Sequence, residues 1–227
     1  GTGVATTSVT TSNLDLQGEL HWPVLDVQRA HIVMDDSSRV DISGKYDFAQ
    51  KMIHDGTVNS SGAFGGQFLP ADYSFETAAI SAKFDGPLTS LTNSVKAQVK
   101  NFTVPHINPV NVDVSWNAEG LNAQSVEATL KSGSSSLMLR GSTDFGSKGN
   151  SVALNALELS NSNGVALRLE QPAQIALEQN TNAGTNHVWS ITIDPLRLTG
   201  EGRGFSLAAN VHWPERGAIQ CEAHGLD

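Results

Sequence analysis

Along most of its length this chain alternates apolar and polar residues with a period of two. Period two is the signature of a half-buried β-strand, in which successive side chains point to opposite faces. In SLMLRGSTDF (Ser136–Phe145), Leu137 and Leu139 share one face and Met138 and Arg140 the other. GFSLAANVHW keeps Phe205, Leu207, Ala209, Val211 and Trp213 in phase. HVWSITIDPLRLTG gives Trp189, Ile191 and Ile193, then Leu196 and Leu198. GVALRLEQPAQIALEQ gives Val165, Leu167 and Leu169, then Ile175 and Leu177 beyond Pro172. In SVALNALELS the phase slips by one residue, from Val152 and Leu154 to Leu157 and Leu159, which predicts a β-bulge. SFETAAISAKF also reads as a strand, through Ala78, Ile80, Ala82 and Phe84.

Between these runs lie SGSSS, GSKGN, SNSNG, NTNAGTN and GEGRG, clusters of the residues that make tight turns. Asp35-Asp36 reads as a turn pair in solvent. The best helix candidate is short, Ala49–His54 within DFAQKMIHDG. No linker interrupts the texture.

A longer recurrence overlies the alternation. GELHWPVLDVQ (Gly18–Gln28) returns as VSWNAEGLNAQ (Val114–Gln124) and as NVHWPERGAIQ (Asn210–Gln220), so that Gln28, Gln124 and Gln220 are spaced by 96 residues. Leu25–Phe48 aligns with Leu121–Phe145 with one insertion, sharing Gly44/Gly141, Asp47/Asp144 and Phe48/Phe145. The apolar phase matches too, Val40 and Ile42 against Leu137 and Leu139. Such a period implies a supersecondary unit of several strands repeated along one axis. The expected arrangement is one repetitive β domain over 1–227, with units near 18–113, 114–209 and a partial 210–227. It reads as an internal fragment of a larger protein.

Composition narrows the function. The chain has 227 residues and a net charge of −9, without a basic run, so nucleic acid is not an expected partner. Its single Cys221 excludes an internal disulfide and a cysteine-based zinc site. No run of 18 apolar residues suggests a membrane helix. The seven His do not pair at metal-ligand spacing, and no cofactor or metal is expected. NTNAGTN lacks the closing Glu of a calcium loop. GEGRGF has no following helix to cradle a phosphate. No nucleophile elbow occurs. Nothing here predicts an enzyme. Trp22, Trp116 and Trp213 fit either a sugar-stacking row or packed corners, and packing is the commoner use of a recurring Trp.

What remains is a long aliphatic face, since aromatics are only 6% of the chain. A second sheet can cover such a face. A sheet curled lengthwise covers it in part and leaves a groove suited to acyl chains. The fold expected is all-β, an elongated curled antiparallel sheet of repeated strand units with an apolar groove. The candidate groove-lining residues are Val40, Ile42, Leu137, Leu139, Leu154, Leu167, Leu169, Ile191, Ile193, Leu198, Phe205 and Leu207.

LQGELHWP and SSRVDISGKYDF, with the cadence of FDGPLTSLTNSVKAQVKNFTVPHINPVNVDVSWNAEG and the stretch that follows it, resemble the AsmA-like superfamily and its translocation-and-assembly (TamB) branch. The resemblance spans roughly 14 to 226 and rests on repeat cadence, with no catalytic motif to carry over. It implies a β-taco with an apolar interior, in a periplasmic protein anchored in the inner membrane. It also implies passage of phospholipid acyl chains between membranes and an outer-membrane barrel partner. Read as an internal fragment, the sequence is expected to be without the family's N-terminal anchor and terminal domain. Two other readings remain: a structural or interaction β-sandwich or solenoid of the bacterial envelope with a closed core, and a carbohydrate-binding β domain.

Overall fold

The computed structural model describes residues 11–64, 73–104, 107–146, 149–162, 164–181, 187–213 and 216–225. The chain is all-β, every described ladder is antiparallel, and no helix occurs among the described residues. It forms two compact units, Gly1–Gly120 and Leu121–Asp227.

The first unit is a meander in which each strand pairs with the next. Its strands are β1 (Thr11–His21), β2 (Val24–Met34), β3 (Arg39–Asp47), β4 (Met52–Gly62), β5 (Thr77–Pro87), β6 (Thr92–Val104) and β7 (Ile107–Glu119). The second unit holds β8 (Asn122–Ser132), β9 (Ser135–Gly146), β10 (Gly149–Asn161), β11 (Gly164–Leu169), β12 (Ala173–Thr181), β13 (His187–Gly200), β14 (Arg203–Trp213) and β15 (Arg216–His224). Here β11 and β12 share one place between β10 and β13, the first beside Glu158–Asn161 and the second beside Asn150–Leu154. They act as one strand broken at Pro172, which has no N–H for a ladder. Counted that way, the three corners with the 96-residue spacing follow strands one, seven and thirteen. The recurrence is therefore six strands long.

The shared Gly44 and Gly141 stand where backbones close in. Gly44 has φ 139°, and a Cβ there would sit 2.7 Å from Cα of Gly56. A Cβ on Gly141 would sit 2.5 Å from the Ala153 carbonyl oxygen. In the first unit the ladders slip at Gln17/Gly18, Val27/Ala30, Ser43/Lys45 and Ile53/Gly56. Gly18 pairs Val27 and Val27 pairs Gly44, so these bulges line up across neighbouring strands. Aligned bulges and glycines bend these neighbouring strands at one level and curve the sheet there. The slip predicted in SVALNALELS lies between Leu154 and Ala156, and a further slip, in HVWSITIDPLRLTG, lies between Ile193 and Leu196.

The helix expected at Ala49–His54 does not form. Residues 48–51 are the turn between β3 and β4, and β4 already begins at Met52. The buried Asp47 carboxylate accepts the N–H groups of Ala49 at 2.8 Å and Gln50 at 2.9 Å, which ties this segment as a turn. Six residues are in any case too few to nucleate a helix without tertiary support. SFETAAISAKF is a strand from Thr77 onward, as its alternation predicts. GEGRG and SGSSS each hold a strand-to-strand turn, at Glu201-Gly202 and Gly133-Ser134. Most of NTNAGTN, and Ser147-Lys148 of GSKGN, lie outside the described residues.

Candidate functional site

Directly paired residues on neighbouring antiparallel strands lie on the same face. In the first unit one such row runs Leu16, Ala30, Ile42, Val58, Ala82, Val95 and Trp116, from β1 to β7. The next row runs Leu14, Ile32, Val40, Ser60, Ile80, Ala97 and Val114. Toward the turns comes Leu20, Leu25, Tyr46 and Ile53. Apart from Ser60 these three rows are apolar. The Nε1 of Trp116 donates to Asn93 Oδ1 at 2.9 Å, which satisfies its polar handle.

The other face is polar across its middle. Its middle row is Asp15, His31, Asp41, Asn59, Ser81, Lys96 and Ser115. His31 Nδ1 lies 2.6 Å from Asp41 Oδ1, and Ser81 Oγ donates to Asn59 Oδ1 at 2.8 Å. Lys45 pairs with Asp26 at 3.2 Å and Gln98 Nε2 donates to Asp113 at 2.7 Å. Water solvates this face, and the apolar rows define the other.

In the second unit the registers place ten candidate residues on one face. Leu137 pairs Leu159, which pairs Leu167; Leu139 pairs Leu157. Leu154 pairs both Gly141 and Ala173. Ile193 pairs Ile175 and Ala209, and Ile191 pairs Leu177 and Val211. Leu169 pairs Leu198, which pairs Phe205, while Leu207 pairs Leu196 and Cys221. The bulge at Asn155 keeps Leu154 and Leu157 on the same side. Val40 and Ile42 are the two candidates in the first unit and share its apolar face.

These faces are thinly covered. Among the described residues the buried apolar side chains are Ala82, Val95, Ala118, Ala123, Leu154, Leu167, Ala173 and Ala209, mostly alanine. Leu16 is 66% exposed and Ile42 37%. Two depressions, of 370 Å³ around Asp55, Lys83 and Ser94 and of 510 Å³ around Arg39, Asn59 and Lys96, are lined by none of the twelve candidates. The apolar feature is thus an open sheet face. Sequence reasoning missed most of its extent in the first unit, where Leu16, Ala30, Val58, Ala82 and Trp116 belong to it. The signal was the alternation within β4, β5 and β6, which short apolar side chains and interposed Ser and Gly make faint.

Within the first unit, Trp22 and Trp116 stand apart. Trp22 lies in the turn after β1 and stacks on Phe48 with ring centroids 5.6 Å apart. Trp116 lies inside β7, six strands away, or about 29 Å at the usual strand spacing. Trp213 ends β14 and pairs in register with Trp189; both side chains lie outside the described residues. No group of three or more His, Cys, Asp or Glu that could hold a metal occurs among the described residues. No helix among them is long and apolar enough to cross a membrane. Comparison with protein-family models, with curated proteins and with solved structures returned no match.

Proposed function

We propose that this chain is a segment of a periplasmic lipid-transfer and outer-membrane assembly protein of the AsmA-like, TamB-resembling kind. Its apolar sheet face serves as a passive track for phospholipid acyl chains. The observation that supports this reading is the continuity of the apolar rows across successive strands, at right angles to the chain direction. Acyl methylenes laid on such a face leave water at about 0.8 kcal/mol each and ask for no hydrogen bonds. The polar face stays in solvent. No residue acts as acid, base or nucleophile, and no cofactor takes part. In this reading the full-length protein is anchored in the inner membrane and meets a barrel partner at the outer one. A closed-core sandwich would bury large aliphatic side chains rather than alanines.

Organic extraction of the purified protein followed by lipid mass spectrometry tests the reading, beside a β-sandwich protein of equal size. Phospholipid well above that control is expected. Leu139→Asp and Leu167→Asp place a carboxylate on the track and are expected to abolish the load. Leu139→Asp is the cleaner variant, because Leu167 is only 5% exposed and its replacement also strains the fold. A folded Leu139→Asp protein with an unchanged lipid load would sink the proposal.

A further inference from the structure

The first unit ends its strands differently on its two sides. The turns after β1, β3 and β5 lie side by side at one end, and each carries a large exposed apolar side chain: Trp22 at 77%, Phe48 at 42% and Leu88 at 50%. They are fastened together. The Phe48 N–H donates to the Pro23 carbonyl and the Leu88 N–H to the Lys51 carbonyl, each at 3.0 Å. Trp22 stacks on Phe48 with rings 17° from parallel, and Asp47 stiffens the middle turn from within. The result is a rigid row of protruding apolar tips.

We propose that this row docks on the surface of a phospholipid bilayer, with Trp22, Phe48 and Leu88 entering the boundary between headgroups and acyl chains. Charge favours that partner. The chain as a whole carries −9, yet residues 22–23, 48–51 and 88–91 contain no Asp or Glu, and their one charge is Lys51. At the opposite end the β2–β3 turn presents Asp35 and Asp36. A surface of phosphates accepts a lysine and rejects carboxylates. Side-chain chemistry agrees, since Trp with neighbouring neutral polar groups suits the headgroup level. Geometry argues against a protein partner. The row is about 19 Å from first tip to third and one side chain wide, far short of the ~800 Å² per partner of a stable protein interface. Tips and acyl track are different residues, so this goes beyond the proposed function.

The test is flotation of the full chain with vesicles of phosphatidylcholine and anionic phosphatidylglycerol, with brominated phosphatidylcholine as a quencher of tryptophan emission. The wild type is expected to float and to be quenched. W22F should float but lose the larger part of the quenching. The W22S/F48S/L88S variant, changed only at exposed positions, should bind vesicles about ten-fold more weakly or less, with an unchanged circular dichroism spectrum. Leu139→Asp should float as the wild type does. Absence of wild-type flotation overturns the proposal. So does flotation that survives the triple substitution and disappears in Leu139→Asp, which would assign vesicle binding to the track. Self-association lost in the triple variant, without flotation of the wild type, would give the tips to a second copy of the chain instead.

Discussion

Gly44 and Gly141 hold the same place in the repeated hairpin for different physical reasons. Gly44 needs its positive φ and also the space beside Gly56, whereas Gly141 needs only space beside the Ala153 carbonyl. Gly44→Ala is expected to cost roughly 1–3 kcal/mol, read from urea unfolding. Gly141→Val should cost a similar ~1–3 kcal/mol, because the β9–β10 ladder must open to admit the side chain. Asp47 is the other residue whose replacement should be felt. Its carboxylate, 7% exposed, answers two turn N–H groups. Asp47→Ala should lose about 2 kcal/mol, and Asp47→Asn, which keeps an acceptor, should recover part of it. Equal stability of Asp47→Ala and wild type would show that water replaces the carboxylate without cost.

At the scale of the strand, bulges decide which side chains reach the apolar face. Asn155 is the extra residue of β10 opposite β9. Deleting it would turn Leu157 and Leu159 to the face that carries Met138 and Glu158, or else turn Val152 and Leu154 there. Either choice strips two apolar side chains from the face. The deletion should therefore destabilise by about 2 kcal/mol or more, measured by urea unfolding. A deletion variant as stable as the wild type would mean that β10 re-registers freely. The break between β11 and β12 does the same work by another means. Its Pro172 interrupts the ladder while Leu167, Leu169, Ile175 and Leu177 stay on one side.

For the molecule as a whole, burial sets the expectation. Among the described residues the buried apolar side chains are mostly alanine, while Leu16 is 66%, Leu20 61% and Ile219 68% exposed. That pattern fits sheets whose apolar faces are incompletely covered. Unfolding then adds less new surface than usual. The urea dependence of stability should accordingly be shallower than that of a closed-core β-sandwich of equal length measured alongside. An equal or steeper slope would imply a closed core.

Much of this was legible in the residue order. Alternation in Leu137–Leu139, Ile191–Ile193 and Phe205–Val211 named the strands and the face each side chain takes, because a pleated strand allows only two sides. The phase slip in SVALNALELS announced its bulge for the same reason, whereas the one at Asp194-Pro195 came only with the ladder. Ala49–His54 misled, because six residues of mixed polarity carry no period, and the Asp47 carboxylate, bonding the N–H groups two and three residues on, settled their turn locally. Which strand lies beside which, and in what register, was decided only in the folded sheet. Pairing energy is spread over many weak cross-strand contacts between residues far apart in the chain. That register turned scattered Leu, Ile, Val and Ala into continuous rows. It also brought Trp22, Phe48 and Leu88, distant in sequence, to one edge, since turns become neighbours only when their strands do.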